Sequence, residues 1–247
     1  MKDSGAKLLI SSEKILPIAD QLRVLNPEVD QLIFGAYDDR NMDTVLAPLP
    51  ATPIADQARG SDMLYSSGTT GRPKGILMAL PDAPFDALNG LGALAQMVFN
   101  FHEDCVYLSP APLYHAAPMR WNMAVHAMGG TSIIMEKFDP EHALQLIEKY
   151  KCDVGQWVPT HFVRILKLPE EVRAKYDVSS IKSAVHAAAP IPIPIKEAMI
   201  DWWGPVLFED YAGTEGNGFD SCNRERWMSH KAPGGSPVTY QVQLGES

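Results

Sequence analysis

The sequence has few cysteines, no long apolar run and no excess of basic residues, and each shortage excludes a class of protein. Its 247 residues include three cysteines, Cys105, Cys152 and Cys222, without a Cys-x-x-Cys pair, which argues against a structural zinc site and a disulfide framework. No run approaches the roughly 20 apolar residues of a membrane span, and the N-terminus lacks the apolar segment of a signal peptide. Lysine and arginine number 21 against 30 acidic residues, a net charge of −9, which disfavours nucleic acid and anionic lipid as partners. We therefore expect a cytoplasmic protein with no nucleic-acid partner and no membrane span.

The residues that are present indicate a globular α/β protein. With 46% hydrophobic and 21% charged residues, the chain can build a sizeable core, as one large domain or two small ones. Short strand-forming runs alternate with helical patterns, which predicts layered β-sheets flanked by helices. The predicted strands are 106–109, 131–135, 154–158, 181–187 and 206–209.

Helical patterns occupy the intervals between these strands. Asp139 and Pro140 predict the N-cap and first residue of a helix, because apolar side chains then recur at helical spacing as far as Tyr150. Further helices are predicted at 84–101, at 159–166 and from Pro194 onwards. Residues 40–61 lack periodicity and predict a long connection, and the strand-like run 239–244 comes last.

A glycine-rich segment at 64–75, Leu-Tyr-Ser-Ser-Gly-Thr-Thr-Gly-Arg-Pro-Lys-Gly, is the densest functional signal. Glycines allow a tight backbone that aims N–H groups at phosphate oxygens, while hydroxyls add donors and the lysine adds a positive charge. The alternative interpretation, an ordinary Ser/Gly surface turn, fits a shorter segment better. The spacing matches neither the Walker A loop nor the G-x-G-x-x-G dinucleotide fingerprint.

Together with three further motifs, this segment resembles the adenylate-forming, or AMP-binding, superfamily, in particular its acyl-CoA synthetases and fatty-acid–CoA ligases. The second motif is Tyr-Ala-Gly-Thr-Glu-Gly at 211–216, and the supporting matches are Pro-Leu-Tyr-His at 112–115 and Ala-Ala-Pro at 188–190. The resemblance implies the central part of the large domain of such an enzyme. It also implies ATP, Mg²⁺ and coenzyme A as cofactors and co-substrates.

The resemblance assigns roles to residues at the matching positions. The implied catalytic residues are Lys74, His115, Thr214 and Glu215. The implied nucleotide-binding residues are Ser66, Ser67, Gly68, Thr69, Thr70, Gly71, Lys74, Ala188, Ala189, Pro190, Tyr211 and Thr214, with Tyr211 stacked on adenine. The implied magnesium ligands are Ser66 and Glu215.

Three positions outside the phosphate loop keep two interpretations each. His115 is either a capping or core-edge residue or a residue near the acyl pocket and the α-phosphate. His186 replaces the family's usual Gly or Ser and is either a packed histidine or a ligand contact. The aromatic run 157–162 is either plain core or part of the acyl tunnel.

The resemblance also implies that parts of the family's fold are missing. About the first hundred family residues, the ribose-binding Thr-Gly-Asp segment and the C-terminal lid domain with its lysine have no counterpart, so residues 1–247 are expected to form a partial adenylation domain. The implied function is ATP-dependent conversion of a small carboxylic acid to its acyl-CoA, as in fatty acid metabolism. The acid is expected to be fatty or bulky and apolar, because residues 111–119 and 157–162 are apolar or aromatic and nearly free of fixed charge. An amino-acid substrate is disfavoured, because residues 110–126 contain no Asp or Glu to hold its amine. The alternatives are a non-catalytic nucleotide-binding fragment and an adenylation domain for another acid.

Overall fold

The computed structural model of the protein describes residues 1–66, 73–212 and 219–222. For residues 66, 211–212 and 219–222, all in strands, it describes the backbone only. The chain divides into two compact units, Met1–Phe85 and Asp86–Ser247. No helix in the described part of the chain combines the length and apolarity that a membrane crossing needs.

The smaller unit contains two separate two-stranded sheets. Strands β1 (Leu8–Ser12) and β2 (Asp30–Phe34) run parallel, joined by helix α1 (Leu16–Leu25). Strands β3 (Met63–Ser66) and β4 (Lys74–Leu77) pair antiparallel. Ala19, Ile33 and Ala36 form a small buried core.

A short helix, α2 (Met42–Leu46), interrupts the long connection expected at 40–61. The side chain of Asn41 accepts a hydrogen bond from the backbone N–H of Thr44, which caps the first turn. The five-residue helix is too short for an apolar period to show in the sequence.

The larger unit is organised around one six-stranded sheet. Its strands are β5 (Val106–Ser109), β6 (Thr131–Ile134), β7 (Val154–Trp157), β8 (Ser183–His186), β9 (Leu207–Ala212) and β10 (Phe219–Cys222). The order across the sheet is β10-β9-β8-β7-β5-β6, and all neighbours are parallel except β9 and β10. The sheet therefore confirms the predicted α/β fold. All five predicted strands are present, 106–109 with the predicted bounds and the other four with boundaries shifted by one to three residues.

Helices connect these strands. They are α3 (Gly90–Phe99), α4 (Ala116–Ala127), α5 (Pro140–Tyr150), α6 (Pro159–Leu166), α7 (Glu170–Arg173) and α8 (Ile193–Trp203). Helix α5 begins where the sequence predicts, because the Asp139 carboxylate accepts from the His142 N–H at 2.8 Å and Pro140 occupies the first turn. Two buried apolar clusters are assembled from the helices and strands, one around Trp157 and Phe162 and the other around Phe99 and Trp121.

Three further segments differ from the sequence predictions or cannot be compared with them. The helix predicted at 84–101 starts only at Gly90, because the Asn89 side chain accepts from the Gly92 N–H, and it ends at Asn100, which has a left-handed φ of 57°. Helix α4 was not predicted from the sequence. The strand-like run 239–244 lies outside the described residues.

Candidate functional site

The carboxyl ends of the parallel strands gather most of the predicted site residues of the larger unit. Parallel strands end at one edge of their sheet, so the segments that follow β5, β7 and β8 emerge together. His115 lies in the segment after β5, the aromatic run 157–162 at the end of β7, and Ala188, Ala189 and Pro190 after β8. Tyr211 is the second-last residue of β9, and its backbone lies opposite Asp220 of β10.

The strand order also creates a switch point at this edge. From β5 the chain moves to β6 on one side, then crosses to β7 on the other side of β5. Open α/β sheets bind ligands in the crevice outside the carboxyl ends at such a point. The segments after β5 and β7, which carry His115 and the aromatic run, therefore border the expected crevice.

His115 occupies the N-cap position of α4, but its side chain makes no capping hydrogen bond. The imidazole is exposed, and its ring centroid lies 4.5 Å from that of Tyr114. Behind it, the Asn122 amide donates to the Ser109 hydroxyl at 2.9 Å and to the Pro118 carbonyl at 2.7 Å, which ties α4 to the end of β5. His115 is therefore an N-cap residue by its backbone position, but its side chain does not cap the helix.

The aromatic run after β7 is mostly core. Trp157 and Phe162 are fully buried, with ring centroids 5.7 Å apart. His161 is also buried, stacks on Phe138 at 4.1 Å and accepts a hydrogen bond at Nδ1 from the Val158 N–H at 3.4 Å. Burial, helped by the nearby charge of Arg164, lowers the pKa of His161 to about 4, so its ring is neutral at pH 7.

His186, the last residue of β8, is a packed histidine. It is fully buried against the edge of Phe162, and neither ring nitrogen has a hydrogen-bond partner among the described residues. Burial and the charge of Lys196 lower the pKa of His186 to about 3. Two residues later, Ala188 is exposed and has a left-handed φ of 75°, a conformation that costs an L-residue about 1–2 kcal/mol.

Lys196 is a buried charged residue that the sequence interpretation missed. Its side chain is 0% exposed, and Nζ donates to Glu209 Oε2 of β9 at 2.6 Å. The sequence could have indicated its burial, because Lys196 lies at helical spacing from three apolar residues of α8 that are buried, Met199, Ile200 and Trp203. A lysine on that stripe must find a partner for its charge.

The two ends of the glycine-rich segment lie in the smaller unit. Ser66 ends β3 and Lys74 begins β4, and the two residues face each other in the antiparallel register. The Lys74 side chain is exposed. Antiparallel pairing therefore brings the two ends of the intervening loop together.

Several predicted site residues lie outside the described residues. These are Ser67, Gly68, Thr69, Thr70 and Gly71 of the loop, and Thr214 and Glu215 of the second motif. Within the described ranges, no group of three or more His, Cys, Asp or Glu side chains could hold a metal ion. The predicted magnesium ligands, Ser66 and Glu215, thus remain a prediction.

Comparison with known proteins places this geometry in a family. The family described as "AMP-binding enzyme" matches residues 1–244. Among curated proteins, the chain is 33% identical to a 4-coumarate–CoA ligase of Pinus taeda over 61% of its own length and 28% of the relative's. It is 31% identical to the putative acyl-CoA synthetase YngI of Bacillus subtilis over 58% of its own length and 25% of the relative's. The chain thus spans about a quarter of the length of these curated relatives.

Two solved structures share the fold. The N-terminal domain of FACL13 from Mycobacterium tuberculosis aligns with a TM-score of 0.74 at 22% identity, covering 96% of this chain and 58% of that one. The anthranilate CoA ligase AuaEII, solved with anthranoyl-AMP, aligns with a TM-score of 0.72 at 24% identity, covering 95% and 45%. With the family match over nearly all residues, these findings confirm that the chain belongs to the AMP-binding enzyme family.

Proposed function

We propose that the protein containing this chain is an acid–thiol ligase that activates a carboxylic acid with ATP and transfers the acyl group to coenzyme A. The observation that carries the proposal is the family match over residues 1–244, together with curated relatives that are themselves named CoA ligases. The pairing of Ser66 with Lys74 and the switch point beside His115 are compatible with it.

The reaction has two displacements. A substrate carboxylate oxygen attacks the α-phosphorus of ATP, the bond to the bridging oxygen breaks, and pyrophosphate leaves from an acyl-adenylate. The thiol sulfur of coenzyme A, after losing its proton, then attacks the acyl carbon, and AMP leaves with the bonding electrons. In the first step an anion approaches an anion, so donors and positive charge must offset their repulsion.

The sequence motifs supply such groups. Ser66, Thr69, Thr70 and Lys74 are proposed to hold the triphosphate, with Ser67, Gly68 and Gly71 shaping the loop. Ala188, Ala189, Pro190 and Tyr211 are proposed to contact the adenine, and Thr214 the α-phosphate. His115, exposed beside the switch point, is proposed to lie near the reacting carboxylate.

Magnesium fits this set by its donor chemistry. Mg²⁺ prefers oxygen ligands and is usually held by one or two carboxylates together with substrate phosphates, as the Glu215 carboxylate and the Ser66 hydroxyl would allow. When bound, the ion neutralises phosphate charge.

The proposed acid has an apolar tail. Residues 111–119 carry no charge apart from histidine, and the aromatic run after β7 buries Trp157 and Phe162. Arg164, a candidate partner for a second carboxylate, has its guanidinium carbon 4.8 Å from the Phe138 ring centroid. Burying a second substrate charge without a partner would cost several kcal/mol. A fatty or bulky apolar acid avoids this cost.

ATP binding by the 247-residue chain tests the nucleotide site. Lys74→Ala and Glu215→Ala should weaken MgATP binding in calorimetry, and Tyr211→Ala should cost about 1–3 kcal/mol if the ring stacks on the base. The matched controls are Lys167→Ala and Tyr37→Ala, which remove an exposed lysine and a fully exposed tyrosine. Nucleotide binding that is absent from the wild type, or equal in all variants, would contradict the assignment.

ATP–pyrophosphate exchange tests the reaction and the acid. With the protein that contains this chain, octanoate should support faster exchange than malonate or an α-amino acid, and longer tails should bind more tightly by about 0.8 kcal/mol per buried CH₂. Faster exchange with malonate would disprove the apolar acid. ATP binding without exchange for any acid would favour the alternative, a non-catalytic nucleotide-binding protein.

A further inference from the structure

The buried ion pair between Lys196 and Glu209 joins a helix to one particular point of the sheet. Lys196 belongs to α8, which precedes β9, and its amino group is 2.6 Å from Glu209 Oε2. The lysine side chain is 0% exposed and that of Glu209 is 12% exposed. Water therefore screens this charge pair little, and the geometry of the contact is well defined.

Glu209 is the last residue of β9 that pairs with β8 among the described residues. The register joins Leu207, Phe208 and Glu209 to residues 184–186 of β8. Strand β9 then continues past the end of β8 through Asp210, Tyr211 and Ala212, supported by β10. The ion pair thus holds β9 at the residue where its pairing with β8 ends, two residues before Tyr211.

His186, a titratable neighbour of the pair, carries no charge at neutral pH. His186 lies opposite Glu209 in the register, and it is uncharged because burial and the Lys196 charge lower its pKa to about 3. Neither of its ring nitrogens has a hydrogen-bond partner among the described residues, so the imidazole does not compete with Lys196 for the carboxylate.

Stability alone does not require this arrangement. Replacing a buried ion pair with apolar side chains is often neutral or stabilising, whereas removing one partner is strongly destabilising. A lysine among the buried apolar residues of α8 therefore indicates a role other than stability. Its directional hydrogen bond to Glu209 suits it to hold the strand in place.

We infer that the Lys196–Glu209 ion pair is a positioning device that fixes the end of β9 and thereby the backbone carrying Tyr211 at the ATP site. The inference rests on the proposed function, because it assumes that Tyr211 contacts the nucleotide. The inference assigns neither residue a contact with the nucleotide. The pair acts through the strand.

Two variants of the full 247-residue chain separate positioning from stability. Lys196→Met leaves Glu209 buried without its partner, whereas the double variant Lys196→Met/Glu209→Met removes both charges and should retain the fold. The control is Lys182→Met, which removes an exposed lysine whose amino group donates to the Ser179 carbonyl at 3.3 Å. Thermal unfolding, amide hydrogen exchange and MgATP calorimetry are measured on each.

The double variant should unfold close to the wild-type temperature and yet bind MgATP about tenfold more weakly, a usual size for coupling between sites. Its amides at 207–212 should exchange about tenfold faster, while those of β5 keep their rate. Wild-type ATP affinity in the stable double variant, or unchanged exchange at 207–212, would overturn the inference. A wild type that binds no ATP would instead overturn the proposed function, and the exchange rates alone would then decide whether the pair anchors β9.

Discussion

The amino end of β7 and the carboxyl end of β8 each hold one polar side chain, and the two side chains have different surroundings. At the amino end of β7, Asp153 uses both carboxylate oxygens: Oδ1 accepts from the Val106 N–H at 2.8 Å and Oδ2 contacts His102 Nε2 at 2.8 Å. At the carboxyl end of β8, His186 is buried with no partner for either ring nitrogen among the described residues. The polar group at the amino end is satisfied, whereas the one at the carboxyl end is not.

Three histidines show how their surroundings affect exposure and pKa. The His102 side chain is 54% exposed and lies beside a carboxylate, whereas His161 and His186 are buried and their pKa values fall to about 4 and about 3. Ala188, also at the carboxyl end, has a left-handed backbone. Local exceptions of this kind concentrate at functional sites. His186 and Ala188 lie next to Ala189 and Pro190, which are proposed to contact the adenine.

The largest effect expected from this difference is a loss of stability in acid. His161 and His186 have folded-state pKa values below the ordinary 6.5, so the unfolded chain binds protons that the folded chain does not. Stability is therefore lost as the pH falls below 6.5, by up to about 1.4 kcal/mol per pH unit for each histidine. Between pH 8 and pH 4.5 the two together should lower the free energy of unfolding by about 5 kcal/mol, measurable by urea denaturation.

His186→Leu should remove about half of that pH dependence and, by deleting two unpaired buried nitrogens, stabilise the fold at low pH. The control is His126→Leu, which replaces a histidine at an exposed position. If wild type and His186→Leu lost stability equally steeply with falling pH, the pKa of His186 would not be lowered, and the contrast with Asp153 would no longer hold.

Asp153→Ala probes the amino end, where a smaller effect is expected. The substitution leaves the Val106 N–H without its acceptor and His102 without its carboxylate, which should cost about 1–3 kcal/mol. Asp104→Ala, at an exposed site close by, should change the free energy of unfolding by less than about 0.5 kcal/mol. MgATP affinity should be equal in both variants, and a selective loss with Asp153→Ala would break the division between the two ends.

Ala188→Gly should produce the smallest effect. Glycine relieves the left-handed strain of about 1–2 kcal/mol, but it also makes the unfolded chain more flexible by about 0.4–1 kcal/mol. The net result should be a stabilisation of at most about 1.5 kcal/mol in chemical denaturation. Ala189→Gly, where φ is not positive, should give only the entropic loss, so the two neighbouring substitutions should have opposite signs.

Much of the larger unit could be predicted because its signals are local. Strand 106–109 was predicted with the bounds that β5 has, and Asp139 caps α5 as expected. Helix α4 escaped prediction because polar residues interrupt its apolar period, and one of them, Asn122, is buried through hydrogen bonds to Ser109 and Pro118. From sequence alone, a buried polar residue such as Asn122 is predicted to lie on the surface, because its hydrogen-bond partners are not known.

By itself, the sequence determined the α/β class, the start of α5 and the family, since these depend on residues close together in the chain or on contiguous motifs. Only the tertiary structure decided which polar side chains are buried and what they contact. Lys196 meets Glu209 across 13 residues, and Asp153 meets Val106 across 47. The physical reason is the strand order, which sets β7 between β5 and β8 and β9 beyond β8, and so brings together groups that no local pattern connects.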